Sequence, residues 1–388
     1  MRALVLGAAG AVCSQTTMDL ARFSQFEEIA VADFQLEVLE KLLAGIGDPR
    51  LKPLSFNADD YASMLELFPQ FDIVINGLPF KYDLAVNKAC VESGVNGLDL
   101  SSDDPQFELH EQALANNVLF VPGCGATPGI TNMLVRKAYE TLDRLHEVEI
   151  SFAAFRCLAP APGLLKTTLW EFDPQVEHRK RVFYNDGKWH PSAPLTGEKK
   201  TRFHDQIGEQ SVFYVPHDEV DTLPRSYPQL RYVAVRGCFP PHVMELMTAL
   251  MHAGLLSGHP VSIGGKELPA IDAVAELLLQ LPISKQNQIW AYGLVVEVSG
   301  ERDGKLMKYI YRTQHPPQEQ WGGQASYFKN VGIPLSIGAQ LIASGQSTSK
   351  GVRPPDLALP VEPFFEALAL RGITIEEQIE ELPLGASK

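Results

Sequence analysis

Ala3-Leu4-Val5-Leu6 is a short apolar run that stops at Gly7-Ala8-Ala9-Gly10-Ala11-Val12-Cys13, and from Gln15 to Phe23 apolar side chains recur at helical spacing. This succession of strand, glycine turn and helix constrains the chain more than any other feature. Two glycines in such a turn let backbone N–H groups approach an anion at the helix N-terminus, where unpaired donors and the helix dipole favour negative charge. The third small position of the turn is Cys13 instead of glycine, and on its own the motif reads equally well as an ordinary strand–helix turn. Ile29-Ala30-Val31-Ala32 then gives a second buried strand, closing on Asp33. An acidic residue about twenty positions past such a turn hydrogen-bonds a ribose 2′-OH; the competing role is a plain N-cap for the next helix. A carboxylate there repels a 2′-phosphate, and Asp33 is followed by Phe34-Gln35-Leu36 with no arginine. NAD is therefore expected as cofactor over NADP.

The rhythm continues. Leu36, Leu39, Leu42 and Leu43 mark a helix; Phe71 to Asn76 a strand; Ala85 to Glu92 a helix; Gly97 to Leu100 a strand; a helix runs through His110; Val118 to Val121 is a strand. Alternation of this kind predicts an α/β fold with a doubly wound parallel sheet, which binds ligands beyond the carboxyl ends of its strands. The loops to watch begin at Gly7, Asp33, Gly77, Ser101 and Gly123. The residues expected against the cofactor are Gly7, Ala9, Gly10, Ala11, Val12, Asp33, Gly77, Leu78 and Pro79. From Leu145 the texture changes: Glu147 to Phe152 alternates polar and apolar, as antiparallel strands with one wet face do, so a second domain starts near there. Residues 294–300 and 307–311, joined by a polar turn, predict a hairpin. The helix carrying Ile337, Leu341 and Ile342 is followed by a linker at Ser347 to Gly351 and a terminal helix from Glu362 to Arg371, expected to pack on the first domain.

Composition narrows the partners. With 388 residues the chain can bury a large core in two or three domains, and no run of about 18 apolar residues offers a membrane span. A formal net charge of -14 repels polyphosphate and anionic lipid at long range, so neither nucleic acid nor membrane is an expected partner. Five cysteines without CxxC spacing fit a reducing compartment, and the opening apolar segment is too short for a signal h-region, so a cytoplasmic protein is expected.

The residues resemble the saccharopine dehydrogenase and lysine 6-dehydrogenase group of nicotinamide enzymes. The resemblance runs through Asp72-Ile73-Val74-Ile75-Asn76-Gly77-Leu78-Pro79-Phe80, Pro122 to Ile130, Ala159-Pro160-Ala161-Pro162, Asp221-Thr222-Leu223-Pro224-Arg225, Val331-Gly332-Ile333-Pro334 and the tail from Phe364 to Ile373. It implies a Rossmann-type domain (residues 1–125 plus about 335–388) closed by the C-terminal tail. It also implies an inserted α+β domain (126–334) for substrate binding and dimerisation, hence a homodimer. Fungal saccharopine-forming members carry an Asp where this chain has Thr127 and a Tyr where Ser102 aligns. The lysine 6-dehydrogenase branch looks more similar on both the loop and the hairpin.

Other candidates stand beside bland readings. His217 in His217-Asp218-Glu219 could relay protons or lie on a solvated turn. Arg236 closes the apolar run Val233-Ala234-Val235 and could hold a substrate carboxylate or form an internal ion pair; Arg225, in a Pro-flanked loop, is the second choice. Cys124 reads as a buried filler, Lys88 as solvent-facing, and His178 and His190 lack partners at metal-ligand spacing, so no metal is expected. The expected reaction is NAD-dependent oxidation of a C–N bond in a basic amino acid, most of all L-lysine at its ε-carbon. Thr127, Ser102 and His217 are the catalytic candidates, and Arg236 and Arg225 the substrate ones. The alternatives are a saccharopine dehydrogenase-like enzyme acting on a secondary amine that joins an amino acid to a keto acid, and a nucleotide-binding sensor without turnover.

Overall fold

Apolar side chains on both sides of a strand demand cover on both sides, and that requirement builds the first unit. A computed structural model of the chain describes residues 1–175, 181–282 and 289–383. The chain divides into two compact units, Met1–Lys137 with Phe328–Thr374, and Ala138–Tyr327 with the residues from Ile375 on.

In the first unit the strands are β1 (Arg2–Leu6), β2 (Glu28–Asp33), β3 (Leu51–Ser55), β4 (Ile73–Asn76), β5 (Asn96–Leu98) and β6 (Leu119–Val121), with Gly351–Val352 added late in the chain. Pairing is parallel throughout, in the order Gly351–Val352, β6, β5, β4, β1, β2, β3. The 3-2-1-4-5-6 succession is that of a dinucleotide-binding sheet, with its order reversing between β1 and β4. One face packs Leu4, Leu6, Ala32 and Val74 against Met64, Phe68, Val86 and Cys90 of the helices Tyr61–Leu67 and Asp83–Ser93 and the turn between strands. The helix Ala11–Phe23 meets the long helix Ala325–Ala343 at Gly332, where a Cβ would come within 2.7 Å of the Val12 carbonyl oxygen. Thr16 Oγ1 donates to the Gly332 carbonyl there at 3.0 Å. The tail helix Val361–Leu370 is fixed just after its end by Arg371, whose Nε donates to both oxygens of Asp19 at 2.8 and 2.9 Å.

Three sequence expectations change. β3 went unread because Lys52 and Pro53 interrupt its apolar pattern, but β3 is an edge strand, where proline costs no ladder hydrogen bond. The linker at Ser347 to Gly351 runs into a seventh strand beside β6. The first unit reaches Lys137 and resumes at Phe328, but the tail does not all belong to it: Thr374–Leu382 forms a strand of the other sheet.

In the second unit a nine-stranded mixed sheet centres on β7 (Arg144–Phe155). It is followed by β8 (Val182–Asn185), β9 (Lys188–Pro191), β10 (Lys199–Arg202), β11 (Glu209–Tyr214), β12 (Tyr232–Cys238), a separate hairpin β13 (Pro260–Ile263) and β14 (Lys266–Pro269), then β15 (Ala291–Arg302) and β16 (Lys305–Gln314). The main path runs β10, β11, β12, β7, β15, β16, Thr374–Leu382, with β12 parallel to β7 and the expected hairpin realised as β15 and β16. Strand alternation sorts the residues. Ala153, Phe155, Phe203, Val212 and Val295 fill the core on one face, while Phe152 and Tyr292 stack on the other at 6.3 Å. The last strand is an edge: Lys305 pairs with Glu381 at 2.7 Å and Arg312 with Glu376 at 3.5 Å. No described helix is long and apolar enough to cross a membrane.

Candidate functional site

The glycine turn sits where the order of the first sheet reverses. Gly7 has φ +69°, and a Cβ on it would lie 2.7 Å from the Gly77 carbonyl oxygen, so the residue can only be glycine. Its carbonyl accepts from Gly10 N at 3.0 Å, and the helix that starts at Ala11 has no acidic residue in its first turn and no side-chain cap. The first-turn N–H groups, Ala11 and Val12 among them, are left for an anion. Cys13 explains its own departure from glycine: a Cβ on Gly77 would lie 1.8 Å from the Cys13 sulfur. The space the helix side takes at position 13 is yielded by the facing loop at position 77.

Asp33 ends β2 with one oxygen accepting from Ala9 N of this turn and the other from Gln35 N at the start of the next helix, each at 3.0 Å. It does not cap the next helix, whose N-cap is Gln35. These residues fit a pyridine nucleotide: first-turn N–H groups for the pyrophosphate, and a buried carboxylate for ribose hydroxyls. Leu78 N donates to Asn76 Oδ1 at 3.1 Å, and Pro79 precedes a short helical turn, Phe80–Tyr82, so Gly77, Leu78 and Pro79 form the facing rim.

Beyond β4 and β5 lies a buried acidic network. Asp83 accepts from Asn76 Nδ2 at 2.9 Å and Ser101 Oγ at 2.7 Å, and Asp99 accepts from Gln106 Nε2 at 2.7 Å. Burial, then the neighbouring Asp83, holds the Asp99 carboxyl well above the usual carboxylate range. The buried Ser102 and the loop carrying the half-buried Thr127 come together here, since a Cβ on Gly123 would touch Pro128 at 2.9 Å and Ser102 at 3.3 Å. Cys124 is fully buried, its thiol pushed up by burial, and fills space against Gly338.

In the second unit the structure separates the expected residues. Arg236 is committed within the protein: Nη1 to Glu149 at 2.7 Å, Nε to the Gly197 carbonyl at 2.8 Å, Nη2 to the Tyr214 and Tyr232 hydroxyls at 3.0 and 3.2 Å. Its guanidinium also lies over the Tyr214 ring. The expectation of a substrate carboxylate at Arg236 gives way to the internal ion pair, because Glu149 already neutralises the charge. Arg225 is not in a loop but near the exposed end of the helix Glu219–Ser226.

His217 lies across the sheet from Arg236, its ring 5.3 Å from that of Phe152. It is not on a solvated turn. Nδ1 is 2.6 Å from Oε2 of Glu219, which is fully buried. Burial alone would lower the imidazole, but the charge and hydrogen bond of Glu219 outweigh it, and the net shift is upward. The imidazole therefore holds its proton to higher pH than it would without Glu219. On the same face, Arg156 follows β7, with Nη1 donating to the Cys157 and Leu158 carbonyls at 3.0 and 3.2 Å and Nη2 to Thr168 Oγ1 at 2.6 Å. Sequence reasoning missed it, although its signal was the one used for Arg236, an arginine closing an apolar strand. Among the described residues no group of three His, Cys, Asp or Glu side chains is placed to hold a metal; His190 stacks on Phe183, and His178 lies outside the described residues.

Comparison with known proteins bears on this arrangement. Residues 3–121 match the saccharopine dehydrogenase NADP binding domain and residues 125–373 the saccharopine dehydrogenase C-terminal domain. The chain is 23% identical over 399 residues to carboxyaminopropylagmatine dehydrogenase of Synechocystis sp., covering 98% of both chains. It is 26% identical over 456 residues to the NADP(+), L-glutamate-forming saccharopine dehydrogenase of Schizosaccharomyces pombe, covering 98% of this chain and 99% of that one. Apo saccharopine dehydrogenase (L-Glu forming) from Saccharomyces cerevisiae shares the fold, with TM-score 0.72 at 15% identity over 98% of this chain and 99% of that one. A glycine turn at the reversal point of a 3-2-1-4-5-6 sheet, joined to a mixed-sheet unit and matched over nearly its full length, makes this chain a pyridine-nucleotide-binding oxidoreductase of the saccharopine dehydrogenase family.

Proposed function

We propose that this chain uses NAD to form or cleave the C–N bond of a secondary amine joining an amino-acid skeleton to a second carbon chain. The observation that carries the reading is the His217–Glu219 pair, a part-buried imidazole on a fully buried carboxylate. Condensing an amine with a carbonyl compound passes through a carbinolamine that must lose water, and that loss needs a proton donor; cleavage needs the same group as base. An imidazole beside a carboxylate serves both directions, donating the proton in its charged form and accepting it in its neutral form. The names of the two curated relatives, carboxyaminopropylagmatine dehydrogenase and saccharopine dehydrogenase, support secondary-amine chemistry over removal of ammonia.

A bound nicotinamide supplies or accepts the hydride. The chain's part is to hold the nucleotide through the first-turn N–H groups and Asp33, and to manage the proton through His217. Asp33 supports NAD, since its carboxylate would accept from the ribose hydroxyls of a bound nucleotide and would repel a 2′-phosphate. Oxidative deamination of L-lysine at its ε-carbon is the second reading. Thr127 and Ser102 favour it, because neutral hydroxyls can orient water onto a simple imine but are poor proton donors.

The reverse reaction separates the two. With NADH and a panel of ω-aldehydes and 2-keto acids, the secondary-amine reading expects oxidation of NADH only when an amino acid or polyamine is added, with ammonium inert. Turnover supported by ammonium alone would replace it with the lysine reading, and tight nucleotide binding without turnover on any pair would leave a sensor.

A further inference from the structure

We propose that Arg156 is the anchor for a carboxylate of the substrate. The inference deepens the function proposed above and rests on it for the substrate class alone. Arg156 is 3% exposed, and its hydrogen bonds among the described residues go to two neutral carbonyls and one hydroxyl. Among the described residues no carboxylate pairs with it, and its Nε, fully buried, has no hydrogen-bond partner. A buried cation without a counter-charge, and a buried N–H without an acceptor, each destabilise the protein unless something completes them. The contrast with Arg236 is informative, because that arginine, one strand away, has its carboxylate in Glu149 at 2.7 Å.

The surroundings specify the missing group. The guanidinium carbon lies 5.2 Å from the Phe239 ring centroid and 5.5 Å from that of Tyr327. Aromatic rings against its faces leave the edges for polar contact, and the edge bearing Nε–H matches the two oxygens of a planar carboxylate. The same rings lead to the proton-carrying pair. Phe239 meets Phe152 at 6.5 Å, and Phe152 meets His217 at 5.3 Å. An anion site and an acid–base group thus share one aromatic floor, as an amino-carboxylate substrate with a reacting nitrogen requires.

The test compares ligands that differ only in the α-carboxylate, L-lysine against 1,5-diaminopentane and L-arginine against agmatine, titrated by calorimetry into the protein saturated with NADH. In the wild type the carboxylated member of at least one pair is expected to bind more tightly. Arg156→Gln should weaken that member by about 10- to 150-fold, the range for a charge-assisted hydrogen bond, and leave its decarboxylated partner within twofold. Arg156→Lys keeps the charge but loses the fork, so an intermediate loss is expected, and this variant decides the matter if the Gln variant does not fold. Equal weakening of both members, an unchanged preference, or no preference in the wild type would overturn the assignment. Turnover with ammonium alone would sink the secondary-amine reading while leaving this carboxylate preference intact, so the two ideas fail separately.

Discussion

Replacing Asp33 by Asn tests the cofactor assignment with little change of shape. The carboxylate takes two backbone N–H bonds at 3.0 Å, and an amide oxygen can keep one, so the variant should lose about 1 kcal/mol of stability and still fold. The effect on cofactor choice is larger, because two contributions act in the same direction. A charge about 5 Å from a 2′-phosphate repels it by roughly 1–3 kcal/mol per unit charge for an effective dielectric between bulk water and a protein surface. The hydrogen bond from a ribose hydroxyl to a carboxylate is worth about 1.5–3 kcal/mol. Together these should move the ratio of NADP to NAD affinity by about 60- to 20,000-fold toward NADP. The assay is direct titration of both reduced nucleotides, followed by their fluorescence, into wild type and variant. A wild type that prefers NADPH, or a variant whose ratio stays within twofold, would refute the ribose role.

Three further outcomes are expected. Gly77→Ala places a methyl on the Cys13 sulfur, and should cost about 1–3 kcal/mol and weaken nucleotide binding; adding Cys13→Ala should restore most of both, read by thermal melting and titration. Because Glu219 raises the His217 imidazole, NADH oxidation in the condensing direction should be fastest at pH values below that raised value and fall as pH rises through it, and His217→Gln should flatten that limb of the rate profile. Arg371→Met breaks a buried pair and should cost about 3–5 kcal/mol at neutral pH in urea unfolding. Burial, which outweighs the pull of Arg371, already raises the Asp19 carboxyl. Loss of Arg371 raises it further, so the penalty should grow as pH rises between the two values and shrink in acid, where both forms are protonated.

The first unit was legible because a parallel sheet covered on both faces writes itself as apolar runs, and β1, β2, β4 and β6 are such runs. β3 was hidden because an edge strand is free of that pattern, and Gly351–Val352 because two residues make no pattern at all. The glycine turn and Asp33 were readable from spacing. The reason Cys13 is tolerated was not, since it lies in Gly77, sixty-four residues away in the chain. In the second unit, sequence identified His217 as a candidate but could not supply its packing against Phe152. The rule that an arginine ending an apolar strand needs an anion applied equally to Arg156 and Arg236. Only three dimensions reveal that Glu149 answers one of them and leaves the other.

The strand Thr374–Leu382 has a consequence for how copies of the protein behave together. A sheet that ends in an exposed strand offers unpaired N–H and C=O groups to any other strand, and such edges seed aggregation unless something repels the newcomer. This edge carries Glu376, Glu377, Glu380 and Glu381 within nine residues, so two copies approaching through it bring like charges face to face. Lys305 and Arg312 hold two of those glutamates from the inside, fastening the strand over the long hairpin β15–β16. The chain's last strand thus works as a charged selvedge, closing a broad sheet whose unfinished border would otherwise be adhesive.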